Sequence, residues 1–144
     1  MKLVVLPLVL VLVALTSATA AGAATSSHEA SSSFCGVARG VARDILASTS
    51  AVNGRIVPAN IKTVYLKIAA AEPALLSSAP GSIKPHLRPV LGLINLVIVD
   101  FKKVNWNPAG MAPYLPTLVA RARTVQVHIH PLKVYFNTVC KLAI

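Results

Sequence analysis

The apolar positions of the chain repeat with helical spacing, most clearly between Ser82 and Lys103. Over this stretch they lie three or four residues apart, at Ile83, Leu87, Val90, Leu91, Ile94, Ile98 and Phe101. Between Val90 and Val99 only Gly92 and Asn95 interrupt the apolar residues, so this part needs enclosure by other elements. The pattern predicts a central core helix, whose continuous apolar run is about half the length of a membrane span.

Three further segments show the same spacing. The first helix is predicted from about Ser33 to Ser48, the second from Pro58 onwards, and the last from Tyr114 to Cys140. Proline lacks the backbone N–H of a continuous helix, so Pro73 is expected to kink or split the second helix. The sequence therefore predicts an all-α bundle of four helices with proline kinks, or of five if Pro73 splits one.

Two local features qualify this helical pattern. Thr124–His130, TVQVHIH, alternates like a strand, but an isolated strand leaves its backbone groups unpaired, so a helix is predicted. Between Lys102 and Pro113 the pattern lapses into the longest predicted connection, which carries the only tryptophan, Trp106. Ser82 is the predicted cap of the central helix.

The first 23 residues have the organisation of a secretory signal peptide. Lys2 precedes the apolar run Leu3–Leu15, and small residues follow, with exits after Ala20 or Ala23. An uncleaved anchor is the alternative, but the apolar run is short for one. We therefore predict a cleaved signal peptide at 1–23, an Ala/Ser/Thr-rich linker at 24–33, a helical bundle domain at 34–144, and a secreted, extracellular protein.

Charge narrows the range of partners. The 144 residues include 14 Lys and Arg against 4 Asp and Glu, a formal net charge of +10 at pH 7. Loss of Lys2 with the signal peptide leaves about +9. This excess favours anionic envelope surfaces, and nucleic acid is not predicted as a partner of an exported protein. The excess also serves solubility, which is the simpler interpretation.

The two cysteines, Cys35 and Cys140, stand near the two ends of the predicted domain. An even count in an exported chain predicts a disulfide, here between the first and last helices. In the chain-entropy model, closing a loop of about a hundred residues stabilises a fold by roughly 4 to 5 kcal/mol. No C-x-x-C pair indicates a metal or redox site.

Four residues are candidates for ligand binding. Asn95 is a polar group in the most apolar run, Trp106 lies in the long connection, and Tyr114 combines an apolar ring with a polar tip. His128 forms His128-x-His130, whose two imidazoles suit a metal or haem only if they share a face, which residues two apart on a helix do not. We interpret these as surface histidines and predict no metal site and no cofactor.

The sequence predicts a noncatalytic protein. Its acidic residues fall in separate segments, and no spacing suggests a Ser-His-Asp or Cys-His arrangement. Two functions are open. One is a carrier of an apolar small molecule such as a lipid or haem, bound between the central and last helices. The other is a structural or interaction protein that associates with anionic envelope surfaces through its basic charge.

Three segments carry a family resemblance: FCGVARGVARDIL, AAAEPALLSSAPGSIKPHLRPVLGLI and YFNTVCKL. Together with the N-terminal leader, they resemble the small exported helical proteins of unknown function found in actinobacteria. More distantly, the chain is similar to the secreted mycobacterial haemophore-like proteins, which are small helical domains with two cysteines. The resemblance implies export and a helical fold, and no haem-contacting motif of that family matches residues here.

Overall fold

The structure, a computed structural model, describes residues 28–50 and 58–142. The segments of this part with helical spacing of apolar residues form helices. The elements in chain order are α1 (His28–Ser50), α2 (Pro58–Ser78), α3 (Lys84–Lys103), a 3₁₀ helix (Pro108–Tyr114) and α4 (Leu115–Thr138). These residues contain no strand, and Thr124–His130 lies within α4. The predicted all-α bundle is confirmed, with four α-helices. The predicted signal peptide lies outside the described residues.

Helix α3 occupies the centre of the bundle. It packs against α2 on one side and α4 on the other, while α1 packs mainly against α2. Eight of its twenty residues are buried, on more than one face of the helix: Leu87, Leu91, Leu93, Ile94, Val97, Ile98, Asp100 and Phe101. Because α2 and α4 cover two sides of α3, its continuous apolar run is largely buried. The predicted central helix is confirmed.

The two ends of the described chain are joined at one end of the bundle. Cys35 of α1 and Cys140, just after α4, form a disulfide with a Cα–Cα distance of 5.0 Å. Beside it, the fully buried ring of Phe34 contacts Tyr135 and Phe136, with ring centroids 5.9 and 5.7 Å away. The predicted disulfide is confirmed, and an aromatic cluster packs around it.

Three boundaries differ from those predicted. Helix α1 begins at His28, before the predicted start at Ser33, because serine is tolerated inside a helix as well as favoured at its N-terminus. Helix α2 runs through Pro73, whose ring is exposed. Because proline has no backbone N–H, only one intrahelical hydrogen bond is lost. Ser82 is not the cap of α3, because the N–H groups of Ile83 and Lys84 both donate to the carbonyl of Pro80, at 2.9 and 3.0 Å.

The predicted long connection is shorter and more ordered than expected. At the end of α3, the N–H of Trp106 donates to the carbonyl of Phe101 at 2.8 Å, and that of Asn105 to Lys102 at 3.2 Å. With φ of 50° at Asn105 and 61° at Trp106, this is a Schellman-type helix end. The 3₁₀ helix follows at Pro108, and its Gly110 lies against Val104, leaving no room for a side chain.

Candidate functional site

Asn95 is held between α2 and α3. Its Nδ2 donates a hydrogen bond to Oε2 of Glu72 at 2.7 Å, and both side chains are half-buried. A hydrogen bond to an ionised carboxylate is a strong one, so this contact fixes two neighbouring helices. The residue therefore joins α3 to α2, whereas the predicted ligand site lay between α3 and α4.

Trp106 covers the end of the core. Its ring stacks on that of Phe101, with centroids 5.5 Å apart and planes 8° from parallel. The ring of Tyr65, on α2, has its centroid 6.0 Å from that of Phe101. Contact between the positions of Phe101 and Trp106 is the usual accompaniment of a Schellman end. The enclosed site raises the pKa of Tyr65 through burial. Trp106 closes the bundle in this arrangement.

Tyr114 lies beside an ion pair. Nζ of Lys103 is 2.7 Å from Oδ1 of Asp100 and 5.0 Å from the centre of the Tyr114 ring. The carboxylate of Asp100 is buried, whereas Lys103 is half-exposed. The hydrogen bond to Asp100 raises the pKa of Lys103 above its ordinary value. One cation thus neutralises a buried carboxylate and contacts an aromatic face at the same time.

His128 meets a histidine that the sequence analysis did not single out. Its Nδ1 lies 3.1 Å from Nδ1 of His86, and the pair joins α4 to α3 in a half-buried position. The ring centroids are 5.4 Å apart. His130 is exposed, because residues two apart on a helix point in different directions. A separation of 42 positions gave no local signal for the pairing of His86 with His128.

The four candidate residues do not line one site. His86 and Phe101 stand near opposite ends of α3, about 22 Å apart at the helical rise of 1.5 Å per residue. A surface depression lies on the flank of α4, and none of the four candidates borders it. Its lining consists of Pro116, Thr117, Ala120, Arg121 and Thr124.

Three acidic side chains of the described residues have interaction partners. Glu72 binds Asn95, Asp100 binds Lys103, and Asp44 also has an interaction partner. Most of the basic side chains are exposed, and they occur on all four helices: Arg39, Arg43, Lys62, Arg88, Lys102, Lys103, Arg121, Arg123 and Lys133. The described surface is therefore strongly positive, with little exposed negative charge to offset it.

Helix α4 carries three of these exposed basic residues. We define the outer face of α4 as four exposed residues spaced four, three and four positions apart: Arg123, Val127, His130 and Val134. Such spacing places them along one side of a helix. Val127 is 70% exposed, and Lys133 adds positive charge beside this face, whereas Arg121, two positions before Arg123, points to another side of the helix. The sequence of α4 has no acidic residue, so nothing within the helix neutralises this face.

Comparisons with protein-family models, with curated proteins and with solved structures give no match. The resemblance to exported actinobacterial proteins therefore stays a prediction. None of the described helices has the length and apolar character of a membrane span, and no three His, Cys, Asp or Glu side chains of the described residues gather in one place.

Proposed function

We propose that this protein is an exported, noncatalytic protein that associates peripherally with anionic phospholipid surfaces through the outer face of α4. The observation that carries the proposal is the combination, on one exposed helix face, of Arg123, with Lys133 beside it, and two valines that no other element covers. These are the basic and the apolar residues that the proposal uses. Headgroup phosphates attract the former, and the apolar part of the interface accommodates the latter.

The scarcity of exposed acidic side chains supports this proposal. A peripheral protein must approach a negative surface without repulsion, and Glu72, Asp100 and Asp44 each have an interaction partner. Each Lys or Arg near an anionic membrane surface contributes about 1 kcal/mol to binding. Arg123 and Lys133 together therefore supply roughly 2 kcal/mol, with a smaller apolar contribution from Val127 and Val134.

The disulfide supports the export part of the proposal. Disulfides form and persist in oxidising compartments outside the cytosol, and Cys35–Cys140 joins the two ends of the described domain. The alternative function, a carrier of an apolar small molecule, stays a prediction.

The test uses protein recovered from the culture medium, with its N-terminus determined by mass spectrometry. We expect it to sediment with phosphatidylglycerol vesicles but not with phosphatidylcholine vesicles. Raising the ionic strength from about 0.05 M to 0.5 M shortens the screening length from about 14 Å to about 4 Å and should release it.

Equal binding to both vesicle types, or binding that persists in high salt, would contradict the electrostatic mechanism. Recovery of the protein only from the cell pellet, with residues 1–23 still attached, would contradict export. Lipid extraction of the same preparation tests the carrier alternative, which requires a copurifying apolar compound in stoichiometric amount.

A further inference from the structure

We propose that His86 and His128 form a binding site for a divalent transition-metal ion, with Cu²⁺ bound more tightly than Zn²⁺. This site is separate from the outer face of α4, because both rings are half-buried between α3 and α4. The two Nδ1 atoms already lie 3.1 Å apart. The proposal therefore requires no movement of the helices.

The spacing of the two nitrogens matches that of two ligands on one ion. Imidazole nitrogens bind such metals at about 2.0 to 2.1 Å. At ligand angles between about 90° and 110°, that bond length places the nitrogens about 2.8 to 3.4 Å apart, for square-planar and tetrahedral geometry respectively. The observed distance falls within this range. The rings need only turn so that both lone pairs converge on the ion instead of facing each other.

The pair changes tautomer when it binds the ion. In a neutral His–His hydrogen bond, one Nδ1 carries the proton and the other accepts it. When the ion takes both Nδ1 lone pairs, the donating ring holds its proton on Nε2 instead, by exchange with water. The shift keeps that proton on the ring, and both Nε2–H groups can donate hydrogen bonds.

Packing fixes the two ligands in advance. Leu87 is the buried neighbour of His86 on α3, and Val125 and Leu132 flank His128 within the core-facing stripe of α4. Ligands attached to two packed helices lose little freedom on binding an ion. The site depends on the native fold, so the ion should also raise the melting temperature.

The nature of the ligands selects the class of metal. Imidazole suits Cu²⁺, Ni²⁺ and Zn²⁺, and affinity rises towards Cu²⁺ among the divalent first-row ions. Mg²⁺ and Ca²⁺ require oxygen ligands, and no group of three or more acidic, cysteine or histidine side chains completes the site among the described residues. Water is expected to occupy the remaining coordination positions.

The histidine inventory provides a matched control, because the chain has only four: His28, His86, His128 and His130. The double variant His28→Gln/His130→Gln keeps the proposed site, and His86→Gln/His128→Gln removes it. Untagged full-length protein is titrated with CuCl₂ by calorimetry, with ZnCl₂ and MgCl₂ in parallel. We expect one Cu²⁺ per chain, weaker Zn²⁺ binding, no Mg²⁺ binding, and a metal-dependent rise in melting temperature.

In the variant without His28 and His130, we expect Cu²⁺ affinity to stay within about twofold of the original. Loss of His86 and His128 should reduce it at least tenfold, the change equivalent to about 1.4 kcal/mol. The opposite pattern, or an absence of Cu²⁺ binding by the original protein, would overturn the proposal.

A second measurement needs no variant and covers the case in which removal of His86 prevents folding. Paramagnetic Cu²⁺ added in small amounts should broaden the ring proton resonances of His86 and His128 before those of His28 and His130. Preferential broadening of the latter two would also overturn the proposal.

Discussion

Helices α3 and α4 are neighbours of similar length with opposite relations to the core. Of the twenty residues of α3, eight are buried, whereas α4 buries only Val125 and Leu132 among twenty-four. The difference follows from position, because α3 packs between α2 and α4, while α4 packs chiefly against α3 and the 3₁₀ helix. The comparison teaches that apolar spacing predicts a helix, while its neighbours decide how much of it is buried.

The largest expected effect comes from truncating one side chain on each helix. Phe101→Ala on α3 should lower the free energy of unfolding by about 3 to 5 kcal/mol, because it removes a buried ring that contacts both Trp106 and Tyr65. Val127→Ala on α4 should change it by less than about 0.5 kcal/mol, since that side chain is exposed. Urea unfolding at neutral pH measures both, and similar losses for the two variants would remove the contrast.

The disulfide determines how firmly the end of α4 is held. Cys140→Ser should lower stability by about 2 to 5 kcal/mol, because the unfolded chain regains the freedom of a loop of 105 residues. Arg39 adds a second attachment, since its Nη2 donates a hydrogen bond to the backbone carbonyl of Cys140 at 2.7 Å. Thermal unfolding under nonreducing conditions tests the change. An unchanged melting temperature would show that packing alone holds α4.

A matched pair of glycine substitutions examines the closed end of α3. A Cβ atom at Gly110 would lie 2.9 Å from Cβ of Val104, so Gly110→Ala should destabilise the protein by about 1 to 3 kcal/mol. Gly92, inside α3, has nothing within 4 Å of that position. Gly92→Ala should therefore stabilise by about 0.5 to 1 kcal/mol. Chemical denaturation of the two variants should give shifts of opposite sign, and shifts of the same sign contradict this account.

A smaller effect is expected at high pH. Burial raises the pKa of Tyr65, so the phenol loses its proton more easily in the unfolded chain than in the folded one. Stability contributed by the neutral phenol is present below about pH 10 and falls as the pH rises further. Lys103, whose pKa is also raised, changes stability in the same direction. Tyr65→Phe should make the decline above pH 10 shallower, and an identical pH profile would show that Tyr65 contributes nothing.

The contrast between α3 and α4 also marks what the sequence could predict. The spacing of the apolar residues from Ile83 to Phe101 was sufficient to predict the central helix. The two cysteines, in a chain with a predicted leader, were sufficient to predict the disulfide. Cap and proline rules were less effective: Ser82 does not cap α3, and α2 continues through Pro73. Local rules fail there because turn hydrogen bonds and packing contribute more than single-residue preferences.

The contacts between distant residues could not be predicted from the sequence. His86 and His128 are 42 positions apart, Glu72 and Asn95 are 23 apart, and Arg39 reaches Cys140 across 101 positions. No periodicity encodes which polar side chains meet when helices pack. The charge excess was visible from composition, but the concentration of unneutralised charge and exposed valine on α4 required the packing of the bundle.

The most direct test of the outward role of α4 compares two double variants with the same change in charge. One replaces Arg123 and Lys133 of α4 with Gln, and the other replaces Lys62 of α2 and Arg88 of α3, which are also exposed. At about 1 kcal/mol per residue, the α4 variant should bind phosphatidylglycerol vesicles roughly thirtyfold more weakly. The α2/α3 variant should lose only a few-fold, because its charges lie outside the proposed binding face. Equal losses in the two variants would contradict the claim that α4 is the binding face.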